Sequence, residues 1–219
     1  MASMAHRVAR GLVGGCALLL GATIAGCAAP QYTYVANSSE STYFKVPHSW
    51  HQISPDALAR ILQEAGSSGG TWTVAYQAGT SPTASDFLNF ATAQPFVFAE
   101  VGTLTSAASQ DLSYNELRDF FLPVTSTERQ QVASQGNFPL TDFKQLRDEQ
   151  LMLGQGVHGV RETYDYTDGG VADTFDVVAL TNADQTVVYL LALHCTTSCY
   201  NNDQTEINDV MSSFTVRSP

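Results

Sequence analysis

The segment Val187-Val188-Tyr189-Leu190-Leu191-Ala192-Leu193 is apolar at every position and follows the turn-forming residues Asn182-Ala183-Asp184. A strand with one face in solvent alternates between apolar and polar residues, whereas a strand inside a packed sheet is apolar on both faces. This segment therefore predicts the central strand of a sheet that is covered by helices on at least one side.

The residues before this segment predict a hairpin. One strand is indicated by alternating positions, which are Val160, Glu162, Tyr164 and Tyr166. Asp168-Gly169-Gly170 follows, and Asp-Gly is a preferred turn of hairpins. Residues 175–180 then predict the returning strand.

Helix signals lie on both sides of this β-rich region. Ser54 is a typical N-cap with Pro55 at the first helical position, and Ser113-Tyr114-Asn115-Glu116 is a capping box. The second of these helices is expected to bury Leu117, Phe120 and Phe121. The last helix is predicted from one apolar stripe, formed by Ile207, Val210, Met211 and Phe214. Further helices are predicted near residues 86–90 and 127–134, and further strands near residues 43–46, 72–76 and 95–104.

Residues 1–26 have the parts of an export signal. Arg7 and Arg10 precede an apolar run at residues 12–24 that is too short to span a bilayer. The run ends in Ile24-Ala25-Gly26-Cys27, which resembles the lipobox of bacterial lipoproteins. In that family a diacylglyceryl group is attached to the cysteine, and a peptidase cuts just before it. The resemblance implies that Cys27 is the lipidated first residue of the mature chain; the alternative is an ordinary secretory signal that contains a cysteine.

The sequence after Cys27 predicts a lipidated tether followed by one domain. Residues 27–41 are mostly small and polar, so they are predicted to be a flexible tether, and residues 42–219 suit a single domain. No other apolar run is long enough to cross a membrane. The acyl chains are therefore expected to be the anchor, which places the domain at the outer face of the cytoplasmic membrane.

The charge of the chain argues against nucleic acid as a partner. Ten Lys and Arg residues stand against 21 Asp and Glu residues, a formal net charge of −11. Removal of Arg7 and Arg10 with the signal leaves about −13. Binding to phosphates needs clustered Lys or Arg, and the sequence has no such cluster.

Two cysteines remain after Cys16 is removed and Cys27 is acylated. Exported proteins meet oxidising conditions, so the simplest prediction is a disulfide between Cys195 and Cys199. The alternative is a metal site, because His194-Cys195-x-x-x-Cys199 superficially resembles the Cys-x-x-x-Cys motif of copper-delivering exported lipoproteins. However, His194 and Cys195 are neighbours on a predicted strand, so their side chains point to opposite faces.

The remaining motifs predict no catalytic, metal or cofactor site. The glycines of Gly154-Gln155-Gly156-Val157-His158-Gly159 match a dinucleotide motif, but a strand and not a helix is predicted after them. His48 and His51 have no third ligand at a suitable spacing, so a zinc site is not expected. Four aspartates crowd the predicted hairpin without the spacing of a Ca²⁺ loop, namely Asp165, Asp168, Asp173 and Asp176.

Both ends of the predicted domain resemble one family. Phe44-Lys45-Val46-Pro47-His48-Ser49-Trp50 resembles the "F-x-V-P-x-x-W" opening of PsbP-like domains, and Ser213-Phe214-Thr215-Val216 resembles their closing "S-F-x-V". The family includes the PsbP subunit of photosystem II, the Mog-type Ran-binding proteins and the LpqN-type lipoproteins of actinobacteria. The resemblance covers about residues 42–219. It implies an α+β fold in which an antiparallel sheet is sandwiched by helices.

The resemblance also implies a function. PsbP-like proteins have no common catalytic site and mostly act as docking or accessory proteins, so a non-enzymatic domain that binds a protein or a component of the cell envelope is expected. The alternative is a carrier that holds a lipid or another small apolar ligand between sheet and helices. An enclosed apolar cavity favours the carrier, and a solid core favours docking.

Overall fold

The computed structural model describes residues 30–64, 71–79, 82–83, 85, 90, 92–136 and 138–217. The helices in this part are α1 (Pro55–Glu64), α2 (Ser106–Asp111), α3 (Tyr114–Arg118), α4 (Ser126–Gln135), α5 (Thr197–Asn202) and α6 (Gln204–Met211). The strands are β1 (Tyr32–Asn37), β2 (Thr42–Pro47), β3 (Trp50–Gln52), β4 (Trp72–Ala78), β5 (Phe96–Thr103), β6 (Thr141–Met152), β7 (His158–Asp168), β8 (Val171–Thr181), β9 (Val187–Thr196) and β10 (Thr215–Val216).

The central element is a seven-stranded antiparallel sheet with the order β3-β4-β5-β9-β8-β7-β6. Strand β9 is the fourth of the seven, so the prediction that residues 187–193 form the central strand is confirmed. Both of its faces are buried, because residues 188–195 all lie in the core. Three further strands form a small antiparallel sheet with the order β1-β2-β10, called the small sheet below.

Each face of the seven-stranded sheet carries its own apolar core. On one face, called the helix side, Leu58 of α1 and Leu117 of α3 pack with sheet residues such as Phe175. On the other face, Ile207 of α6 packs with the small sheet and with residues such as Leu191. The predicted fold class is therefore confirmed: the protein is α+β, with an antiparallel sheet between helical layers.

The flexible tether predicted at residues 27–41 is wrong for its second half. Residues Tyr32–Asn37 form strand β1, which pairs with β2 from Tyr32 opposite Pro47 to Asn37 opposite Thr42. The segment is polar, but Val35 and Asn37 are buried while Tyr34 is exposed, which is the alternation of a strand. The alternation is too short and too polar to have been decisive. Strand β1 is therefore part of the domain, which extends to the N-terminal side of residue 42.

The predicted helices that lie within the described residues are confirmed with corrections at their ends. The Ser113 hydroxyl accepts a hydrogen bond from the Glu116 N–H at 3.2 Å, as a capping box requires, and Leu117 is buried. Phe120 was expected in the core, but it is 37% exposed and lies beyond the end of α3 at Arg118. Helices α4 and α6 lie where they were predicted, although Phe214 follows the end of α6 at Met211. Helices α2 and α5 were not predicted.

Some predictions lie outside the described residues. These are the signal peptide at residues 1–26, the lipidation of Cys27, and most of the helix near residues 86–90. In the part of the chain that the structure describes, no helix is long and apolar enough to cross a bilayer.

Candidate functional site

The residues that sequence motifs singled out do not form a shared site. His48 and His51 are exposed, and the His48 ring nitrogen Nδ1 lies 3.2 Å from the Thr33 hydroxyl. No group of three potential metal ligands occurs among the described residues. The four hairpin aspartates are also dispersed. Asp165 accepts a hydrogen bond from Thr174 and Asp176 accepts one from Tyr200, whereas Asp173, opposite Tyr166, lies on the other face of the sheet.

The glycine motif serves a structural role. Gly154–Gly156 form one 3₁₀ turn, in which Gly156 has a positive φ of 80°, and strand β7 follows. A Cβ atom on Gly159 would lie 2.0 Å from the backbone oxygen of Ala179, so only glycine permits this close approach of β7 to β8. The motif has no helix after it and therefore lacks the N–H groups that bind a dinucleotide pyrophosphate.

Cys195 and Cys199 are joined by a disulfide that links the end of β9 to α5. Their sulfurs bond each other, and the His194 ring lies on the helix side of the sheet, stacked on Phe175 with 5.5 Å between ring centroids. The copper alternative is therefore not supported in this state, because the three side chains do not converge. Burial lowers the pKa of His194 to about 4, so its ring is neutral at physiological pH.

Aromatic rings fill the helix side of the sheet. Tyr164 and Phe175 stack at 5.4 Å, and Tyr166 contacts Phe143 at 5.2 Å and Phe138 at 5.8 Å between ring centroids. These contacts run from the sheet centre to its β6 edge. Such a solid aromatic layer favours docking over a carrier with an internal cavity.

A buried carboxyl lies beneath α3. Glu162 of β7 is buried, the Gln145 amide donates a hydrogen bond to its Oε1 at 3.0 Å, and Arg118 Nε lies 3.8 Å from the same oxygen. Burial raises the pKa of Glu162 to about 8, and the negative charge of Asp148 adds to this rise. Arg118 lowers the pKa of Glu162, but it donates its hydrogen bonds to Asp148, at 3.0–3.2 Å, and to Asn115, at 3.0 Å. Glu162 is therefore protonated at neutral pH and acts as a structural group.

Strand β6 forms an exposed edge of the seven-stranded sheet. Its 12 residues pair with β7 on one side only, and ten of them are exposed. Leu146 is 47% exposed and Met152 is 74% exposed. An edge strand offers unpaired N–H and C=O groups that can pair with another chain. The edge bears irregular pairing between Thr141 and Arg147, whereas residues 147–152 pair regularly with β7.

An aromatic cleft opens beside the start of β6. It has a volume of about 360 Å³ and is lined by α4, by Phe138 and Leu140, and by Phe143 and Tyr166. The Arg129 guanidinium covers its rim and lies 4.1 Å from the centre of the Phe143 ring. The irregular pairing at the start of β6 turns Phe143 toward Tyr166. We call β6 and this cleft together the β6 surface.

The β6 surface has no clear signal in the sequence. Residues 141–152 are polar on both faces and lack the alternation that indicates a strand. Phe138, Leu140 and Phe143 were a usable signal, since three large apolar residues within six positions indicate contact with a core.

Comparisons with known proteins agree with the fold. The solution structure of the cyanobacterial PsbP protein from Synechocystis matches with a TM-score of 0.51 and 14% identity, over 94% of this chain and 99% of that one. LpqN of Mycobacterium tuberculosis, described as involved in cell envelope biogenesis, matches with a TM-score of 0.47, 16% identity and coverages of 86% and 91%. The Ran-binding protein Mog1p of Saccharomyces cerevisiae matches with a TM-score of 0.46, 9% identity and coverages of 84% and 95%.

These matches concern shape. No family model and no curated protein matches the chain in sequence. At 14% identity, the likeness to cyanobacterial PsbP shows the PsbP-like fold and nothing about function.

Proposed function

We propose that the protein is an exported lipoprotein, anchored by a lipid on Cys27 at the outer face of the cytoplasmic membrane, whose domain docks another envelope protein without catalysing a reaction. The anchor is supported by the sequence around Cys27, and the docking role by the β6 surface. The observation that carries the docking role is the long exposed edge strand β6 beside an open aromatic cleft.

The β6 surface fits an extended peptide segment. Residues 147–152 keep a regular strand geometry on their open side, so a partner strand can add to them through main-chain hydrogen bonds. Leu146 and Met152 offer exposed apolar contacts, and the cleft between Phe138 and Phe143 has room for one anchoring side chain. Apolar anchors in a pocket contribute most of the free energy of binding in protein interfaces.

The positions of the titratable side chains with shifted pKa values support a non-enzymatic role. Catalysis needs titratable groups that reach a substrate. Glu162, Asp173 and His194 have strongly shifted pKa values, yet all three are buried, and none of them lines the cleft beside β6.

A carrier function is the second candidate, and the cleft beside β6 is the observation that favours it. Its volume of about 360 Å³ lies at the small end of ligand pockets, and Phe138, Phe143 and Tyr166 provide apolar walls. Native mass spectrometry of the purified protein would show this ligand as a bound mass that a Phe143→Asp variant loses.

The anchor is tested by the Cys27→Ala variant. We expect wild-type protein to fractionate with membranes and to carry an acylated N-terminus, and the variant to lose both properties. Cys16→Ala is the matched control, since Cys16 lies in the signal and is expected to be removed. An unmodified N-terminus on the mature wild-type protein would contradict the anchor.

The docking role is tested in cells with a photo-crosslinking residue at Gln150, which is exposed in the regular part of β6. We expect one discrete product with a partner protein. The double variant Leu146→Asp and Met152→Asp should lose it, and Val171→Asp, which changes an exposed apolar residue on β8, should keep it. The same product from a probe at Gln63 on α1, or its persistence in the double variant, would refute docking at β6.

A further inference from the structure

The outer face of the small sheet is rich in tyrosine and positive charge. Tyr32 and Tyr34 of β1, Tyr43 and Lys45 of β2, and Arg217 after β10 occupy alternate positions along their strands. The intervening residues are buried against the seven-stranded sheet, so these five side chains share the opposite face. Tyr34 is 80% exposed, which is the highest value among the exposed large apolar or aromatic residues of the described chain. We call this set the tyrosine face.

Two of the five residues are cations held over aromatic rings. Lys45 Nζ lies 3.9 Å from the centre of the Tyr32 ring, and Arg217 Cζ lies 5.4 Å from the centre of the Tyr43 ring. A shallow cleft of about 220 Å³ separates them, and none of the described residues that line it carries a carboxylate. A cleft lined by two cations and no carboxylate is unusual in a chain with 21 acidic and ten basic residues.

Two acidic residues of α6, Glu206 and Asp209, lie near Tyr32. The Tyr32 hydroxyl donates a hydrogen bond to Asp209 Oδ2 of α6 at 2.9 Å, which ties the Tyr32 ring to the protein. The Tyr32 ring therefore holds Lys45 in place through the cation–π contact. The Tyr34 and Tyr43 rings are the ones available for contact with lipid.

The position of the anchor brings this face to the bilayer. Strand β1 begins at Tyr32, five residues after Cys27, and a fully extended chain of five residues spans about 17 Å. The tether is thus shorter than the predicted one, and it leads directly into the small sheet. A short tether keeps an adjacent surface at a high effective concentration near the membrane.

We infer that the tyrosine face rests on the headgroup region of the membrane, with Tyr34 and Tyr43 in the interface and Lys45 and Arg217 on lipid phosphates. This inference rests on the proposed lipid anchor. Tyrosine is enriched where membrane and water meet, and a basic residue near an anionic surface contributes about 1 kcal/mol. Strand β2 leads into β3, which lies at the edge of the seven-stranded sheet opposite β6.

The contact is tested with the mature lipidated protein in vesicles of phosphatidylcholine and phosphatidylglycerol that contain lipids brominated near the headgroup. A Tyr34→Trp variant adds a fluorophore on the face, and a Met152→Trp variant adds one on β6 as the control. The native Trp50 and Trp72 give the same background in both. We expect bromine to quench the added emission at position 34 and not at position 152.

The cations are tested in the same assay. Lys45→Gln and Arg217→Gln should each lower the ratio of docked to detached domains about fivefold in vesicles that contain phosphatidylglycerol. Lys144→Gln, on exposed β6, should leave the ratio unchanged. Equal quenching at positions 34 and 152 overturns the inference. It is also overturned if a photo-crosslinking residue at position 34 joins a protein in cells while bromine does not quench position 34 in vesicles. Mass spectrometry of the N-terminus is run on the same sample, so loss of the anchor is distinguished from an acylated protein whose tyrosine face does not touch lipid.

Discussion

Replacement of the buried Glu162 by Gln is expected to change how stability depends on pH. The pKa of Glu162 is about 8 in the folded protein and about 4.5 in the unfolded chain. Between these values the unfolded chain has released a proton that the folded protein still holds, so the free energy of unfolding falls as pH rises. Below pH 4.5 both states are protonated and the contribution disappears.

The magnitude follows from the size of the shift. Each pH unit inside this window lowers the free energy of unfolding by about 1.4 kcal/mol. The wild type therefore loses about 3 kcal/mol of stability through Glu162 between pH 4.5 and pH 7. Glu162→Gln removes the titrating proton and still accepts the hydrogen bond from Gln145. The variant should therefore match the wild type near pH 4.5 and exceed it by about 3 kcal/mol near neutral pH.

Urea unfolding of both proteins at several pH values, followed by tryptophan fluorescence, measures this difference. Asp173, whose pKa burial raises to about 7, titrates in both proteins, so its contribution cancels in the comparison. Glu149→Gln removes an exposed carboxylate of β6 and serves as the control. A difference between wild type and Glu162→Gln that stays constant from pH 4.5 to pH 8 would refute the reasoning.

Two further predictions concern the face of the sheet that carries α6. Phe214 is buried in the core on that face, so Phe214→Ala should lower the free energy of unfolding by about 3–5 kcal/mol in urea unfolding. A loss below about 1 kcal/mol would mean that the C-terminal segment does not pack there. The disulfide of Cys195 and Cys199 closes a loop of only a few residues, so the double variant to Ser should lose about 2 kcal/mol or less by the same assay. Alkylation of unreduced denatured protein checks the bond, and two labelled cysteines would contradict it.

The predictable parts of the fold are those whose burial is indicated by the hydrophobic pattern of the local sequence. Residues 187–193 are apolar on both faces and lie in the centre of the sheet, and the stripe from Ile207 to Phe214 lies in the core. The helix cap at Ser113 was predictable because its hydrogen-bond partner, the Glu116 N–H, lies only three residues further along the chain. In each case the deciding interaction is local or depends on hydrophobicity alone.

The parts that were missed depend on partners far along the chain. Strand β6 is polar on both faces, and its pairing with β7 and not its composition makes it a strand. Strand β1 is specified in the same way by its register with β2. Glu162 occupied an inward position of the predicted alternation, but Arg118 lies 44 residues before it. No local pattern connects these two residues, so the sequence could not indicate a protonated carboxyl.

The last strand of the chain determines when the domain can be completed. Strand β10 pairs Thr215 with Tyr43 and Val216 with Thr42, so residues near the two ends of the domain are neighbours in one sheet. A ribosome releases β2 long before β10, and closing such a long loop has an entropic cost that local contacts do not offset early. The small sheet therefore stays incomplete until β10 has been synthesised. For the exported chain proposed above, this order of events delays closure of the small sheet.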